Sequence, residues 1–111
     1  MIDWSHVRRL RDEIGADAFD EVVELFVDEV ETEISRLRAS GKTPDLEAQL
    51  HFVKGSALNL GFVDVATLCE RGEAAAANGQ ADIVDVTGII DCLDRSKAAF
   101  LAGLDAQMMT A

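Results

Sequence analysis

A chain of 111 residues, 49% of them apolar, is long enough to bury one modest core and too short for two. Its formal charge of -11, from 21 acidic against 10 basic residues, argues against nonspecific nucleic-acid binding, because phosphate backbones attract basic surfaces and repel acidic ones. No stretch approaches the ~20 continuous apolar residues of a spanning helix, and the first residues have neither the apolar run nor the small-residue cleavage site of a signal peptide. A cytoplasmic protein that contacts neither nucleic acid nor membrane is expected.

Aromatic residues are few and proline occurs once, which favours helix over sheet. The first helix is short, with Val7, Leu10 and Ile14 inward and Gly15 at its end. Arg8, Arg9 and Arg11 form a weakly basic run on it that reads first as a solvated face and second as a contact for an acidic partner. His6 lies among them without matching residues and is assigned no function. In "DAFDEVVELFVDEVETEISRLRAS", Phe19, Val22, Phe26, Val30, Ile34 and Leu37 recur at three- and four-residue spacing, with Glu21, Glu24, Asp28, Glu31 and Glu33 between them. That is a long amphipathic helix.

Gly41 suits its C-terminus, and Thr43 followed by Pro44 suits the N-cap and first position of a third helix. The third helix buries Leu46, Leu50, Val53, Ala57 and Leu60. A fourth, over about 63–78, offers Ala66, Cys69, Gly72 and Ala76 as small residues that let helices approach closely. Asn78 and Gly79 terminate it and Asp82 caps the last helix, which is expected to bury Ile83, Val86, Ile90, Leu93, Phe100 and Leu104, with Gly88 weakening its first turns. Cys69 and Cys92 read as free core thiols. Short connections favour antiparallel neighbours. The expected architecture is therefore all-α: an antiparallel up-down four-helix bundle with the short first helix across one end, as a single domain over 1–111.

The third helix carries the unusual stretch "QLHFVKGSALNLGF". With about 100° per residue, its core stripe centres opposite His51, whereas Glu47, Lys54, Gly55 and Leu58 cluster around the histidine. An exposed neutral imidazole has a ring nitrogen with a free lone pair and is a competent nucleophile. Lys54, one turn on, could balance a phosphoryl group on that nitrogen. Gly55 gives clearance for another protein's reactive atom, and Leu58 puts an apolar residue on the same exposed side. Singly, each has a plainer reading: a surface lysine, a glycine for helix packing, a leucine against the first helix. Glu47, four residues before His51, could hydrogen-bond the imidazole and is read first as a helix-surface carboxylate.

"HFVKGSALNLGF" resembles the signature of histidine-containing phosphotransfer (HPt) domains, H-x-x-K-G-S/A-S/A-x-x-L/I/V-G-A, with His51, Lys54, Gly55, Ser56, Ala57, Leu60 and Gly61 matching. Cys69 and Glu70 fall where such domains often have "C…LE"; Phe62, at a usually small position, and Gly72, where leucine is frequent, depart from the pattern. The resemblance implies that His51 exchanges a phosphoryl group, through Nε2, with the aspartyl phosphate of a response-regulator receiver domain. It implies Lys54 as charge support, Gly55 as clearance, and Ser56 as a helper that orients the histidine by hydrogen bonding. Phe52, Leu58 and Phe62 would form the apolar rim of the docking surface, with Glu47 beside it; Phe52 reads equally well as core. The receiver would hold Mg²⁺, and no cofactor or metal is expected on this chain. A hybrid sensor histidine kinase is a further implied partner, and the chain is expected to be monomeric.

Other classes fit less well. A histidine kinase needs an ATP-binding domain for which there is no room here. A di-metal bundle needs repeated Glu-x-x-His ligands, and His6 and His51, the only histidines, lack that spacing. The alternative is a helical adaptor or dimerisation module without chemistry.

Overall fold

The computed structural model describes residues 1–40 and 45–108. It contains five α-helices: α1 (Trp4–Ile14), α2 (Ala16–Ser40), α3 (Leu46–Leu60), α4 (Val63–Ala77) and α5 (Val86–Met108), with a short 3₁₀ turn at Ala81–Ile83. Helices α2 to α5 form the bundle: α3 packs on α2 and α4, and α5 closes the ring by packing on α4 and α2. Ion pairs between Arg38 and Asp94 and between Lys97 and Glu31, each at 3.0 Å, show α2 and α5 running in opposite directions. The molecule is elongated, 45 × 21 × 21 Å.

Helix α3 buries Leu46, Leu50, Val53, Ala57 and Leu60, the stripe expected from its period. It ends where Gly61 adopts φ +73°. There the Gly61 N–H donates to Leu58 O and the Phe62 N–H to Ala57 O, the paired bonds of a Schellman turn that satisfy otherwise orphaned helix carbonyls. Two constraints select glycine at this position. A left-handed backbone disfavours side chains by about 1–2 kcal/mol, and a Cβ would lie 2.8 Å from the carbonyl oxygen of Asp3. Asp3 is close because its N–H donates to Gly61 O at 2.8 Å, while Ile2 bridges to Phe62.

That bridge corrects one expectation. Phe62 is 1% exposed and belongs to the core, not to a docking rim. Its ring meets Phe100 edge-on at 5.7 Å, and Trp4 of α1 stacks on the other ring of that pair, Phe100, also at 5.7 Å. The large side chain at a usually small position is thus absorbed by an aromatic cluster that attaches α1 to the end of the bundle. His6 helps, with Nε2 3.0 Å from Asn59 O, and Arg8 donates to Gln107 at 3.2 Å. The basic residues of α1 therefore serve in part to dock the helix; Arg11 also pairs with Asp12 at 3.5 Å.

Helix α5 begins later than expected. Asp85, not Asp82, is its cap: the Gly88 N–H donates to Asp85 Oδ1 at 2.9 Å, and a Cβ on Gly88 would collide with that carboxylate. Ile83 consequently lies in the 3₁₀ turn and is exposed. The α5 core face is Ile89, Cys92, Leu93, Ser96 and Phe100, with Val86, Ile90 and Leu104 only half-buried. On α2, Val23 is buried while Val22 and Phe26 are half-buried. Glu33, expected between the apolar positions, is itself buried; its Oε1 accepts from Arg36 at 3.1 Å, and burial pushes its carboxyl pKa up. On α4, Ala76 is half-buried. The expected Gly41, Thr43 and Pro44 signals lie outside the described residues.

Both cysteines are free and buried, and burial pushes the Cys69 thiol up to about 12. On α4, Val65, Ala66, Cys69 and Gly72 face inward. A Cβ at Gly72 would stand 2.8 Å from Leu50 Cδ1, so the absent side chain is what lets α4 lie close to α3. Replacing Gly61 by alanine should lower unfolding stability by about 2 kcal/mol or more, from backbone strain plus the Asp3 clash. Urea denaturation followed by circular dichroism checks this; an unchanged midpoint would show that the turn tolerates a side chain.

Candidate functional site

Because Leu50 faces Gly72 across the α3–α4 contact, the next residue on each helix stands at the edge of the same contact. Those residues are His51 and Glu73. His51 is exposed, its side chain 70% accessible, and its Nδ1 lies 2.7 Å from Glu73 Oε1. The other carboxylate oxygen, Oε2, is met by Lys54 Nζ at 2.9 Å. One carboxylate on α4 thus joins the two α3 residues that the sequence singled out.

The charges follow from these contacts. The Lys54 ammonium, donating a hydrogen bond, is the main reason the Glu73 carboxyl is held below its ordinary 4.5; the His51 hydrogen bond adds to it and partial desolvation opposes it. Reciprocally, the hydrogen bond to Glu73 raises the Lys54 pKa above 10.5 against desolvation. At neutral pH Glu73 is a carboxylate and Lys54 an ammonium. An ionised carboxylate only accepts hydrogen bonds, so Nδ1 of His51 carries the proton and donates it to Glu73. In the neutral ring the lone pair then belongs to Nε2.

The remaining sequence candidates divide. Gly55 is exposed, and a Cβ added there would meet no heavy atom within 4 Å. Unlike Gly61 and Gly72, it is not made small by this chain's own packing. Phe52 and Leu58 are both exposed, which removes the core reading of Phe52, while Phe62 is buried on the far side of the turn. Ser56 is half-buried and, among the described residues, makes no hydrogen bond to His51. Glu47 lines a shallow depression together with Asp45, Ala48, His51 and Glu73, yet the carboxylate that reaches the imidazole is Glu73.

Sequence reasoning missed Glu73 because it lies 22 residues from His51 on another helix. A signal was present: α3 and α4 form a hairpin about Gly61 and Phe62, and reflecting position 51 through that turn lands on 72–73. Among the described residues no cluster of three or more His, Cys, Asp or Glu side chains could hold a metal ion, and no helix is long and apolar enough to cross a membrane.

A family model for the Hpt domain matches residues 21–99. No curated protein and no solved structure matched the chain.

The ion pair has a definite pH signature. Glu73 has a lowered pKa in the fold, so its contribution to stability is present above about pH 4.5 and lost as pH falls through the lowered value. Lys54 has a raised pKa, so its contribution is present below about pH 10.5 and lost as pH rises through the raised value. The difference in urea midpoint between wild type and Glu73→Gln should accordingly be visible at neutral pH and shrink at both extremes; a difference independent of pH would mean that the pair adds no stability. In ¹⁵N spectra of the neutral ring, His51 should show the Nδ1–H form in wild type and a tautomer mixture in Glu73→Ala. An unchanged spectrum would detach Glu73 from the choice of tautomer.

Proposed function

The chain belongs to the family of Hpt domains, helical modules that carry phosphoryl groups in phosphorelays and are not kinases, and from that membership together with the site geometry we propose that His51 is the phosphoryl carrier. It takes the group from the aspartyl phosphate of a response-regulator receiver domain or returns it to one. The observation that carries this reading is the chain of contacts Lys54–Glu73–His51, which leaves Nε2 as the nucleophilic nitrogen on an exposed surface beside a side-chain-free Gly55.

In the forward step the Nε2 lone pair forms the N–P bond as the bond from phosphorus to the aspartyl oxygen breaks, and the electron pair leaves with the carboxylate. Nε2 has no proton to lose. The ring acquires positive charge, and the Glu73 carboxylate 2.7 Å from Nδ1 is already in place to balance it. Phosphoryl transfer has a loose, in-line transition state that depends on positioning and charge more than on covalent machinery. The receiver supplies Mg²⁺ and its acidic site. This chain supplies an oriented ring and access to it, with Gly55 providing clearance and Phe52 and Leu58 apolar contact.

Lys54 acts first through Glu73, holding its carboxylate ionised and aimed at the ring. Its charge support for the phosphoryl group is therefore shared with the carboxylate it already touches. Ser56 and Glu47 hold peripheral places in this scheme. The protein works as a monomer in the cytoplasm, with a hybrid sensor histidine kinase as the source of the receiver's phosphoryl group.

Incubation with a radiolabelled phosphorylated receiver should label wild type and leave His51→Gln unlabelled. The label should be lost in acid and stable in base, as a phosphoramidate is. Equal labelling of both proteins would defeat the assignment of His51, an acid-stable label would point to a hydroxyl acceptor, and no labelling of either would favour an inert adaptor.

A further inference from the structure

The α2 side of His51 carries features that the transfer chemistry does not use. One residue along α3, Phe52 is 51% exposed, and on α2 Leu25 is 63% exposed. With the half-buried Val22 and Phe26 they line one groove. Two large apolar side chains left open beside a reactive nitrogen mark an interaction surface rather than a solvated face.

The charge on the same groove is one-sided. Asp28, Glu29 and Glu33 line it against one guanidinium, that of Arg36. Glu33 is buried yet still reaches the groove wall, and Arg36 pairs with one of its oxygens at 3.1 Å. Asp28 and Glu29 are exposed on the same wall, so the groove presents two carboxylates to a partner beyond the Glu33–Arg36 pair. A second copy of this chain would bring the same carboxylates against each other, and a net charge of -11 opposes that approach.

We propose that this groove seats an apolar segment of the receiver flanked by lysine or arginine, with Leu25 and Phe52 covered by the apolar part and Asp28 and Glu29 facing the cation. It rests on the phosphotransfer reading and adds what the receiver must look like: its docking face is basic around an apolar centre. The groove then selects among receivers by charge, while His51 performs the same chemistry with each.

The test uses a receiver that exchanges phosphoryl groups with wild type, and compares affinity and transfer rate for wild type, Leu25→Asp and Glu29→Lys at low and high salt. Direct labelling of His51 by phosphoramidate, a small donor that needs no docking, monitors the integrity of the site. Leu25→Asp should weaken receiver binding roughly tenfold or more. Glu29→Lys should slow association several-fold at low salt, with the difference fading at high salt. Phosphoramidate labelling and helical content should match wild type in both variants.

Wild-type affinity and transfer rate in both variants would overturn the groove alone, as would wild-type affinity that rises with salt. A wild-type dimer dissolved by Leu25→Asp, with receiver exchange intact, would assign the groove to self-association and overturn it too. Failure of every receiver to label wild type would instead bring down the phosphotransfer reading, and the groove's occupant with it.

Discussion

The close approach of α3 and α4 is the constraint on which the site depends. It is set by an absence: Gly72 has no side chain where a Cβ would press on Leu50. The left-handed turn at Gly61 fixes the register of the two helices. With distance and register both determined by backbone and core, the polar residues at the edge of the contact have little choice of neighbour. A carboxylate on α4 meets an imidazole and an ammonium on α3. The site is a by-product of packing in the sense that no loop has to be ordered to build it.

What was legible in the sequence follows the same division. The buried stripe of α3 was readable because a helix with one polar face has a strong period, and the same reading put His51, Lys54 and Gly55 on the side away from the core. Glu73 was not readable in that way. Helix periodicity assigns residues to faces within one helix and says nothing of which residue on another helix they meet. Phe62 illustrates the opposite difficulty: a motif position suggested exposure, and a contact with the N-terminal segment, distant in sequence, placed it in the core. Asp82 was expected to cap the last helix; the three-residue turn from Ala81 to Ile83 moves the cap to Asp85.

Glu33 shows where amphipathic patterning loses resolution. Helix α2 packs against α1, α3 and α5, so its buried arc is wide and a charged residue at its margin is drawn inside. Arg36, itself exposed, pairs with it from the surface, as long side chains commonly keep their charged ends near water while their stems cover apolar surface. The margins of a helix between several neighbours are thus where polar and apolar assignments fail first, and also where surfaces of mixed character arise.

The bond between Nδ1 of His51 and Glu73 has one more consequence. It engages the ring nitrogen that takes no part in the proposed transfer, so a phosphoryl group on Nε2 leaves that bond, and the α3–α4 contact behind it, as they were. Loading at the proposed nitrogen therefore breaks no contact between α3 and α4, and it changes the exposed surface at one point by the charge of the phosphoryl group.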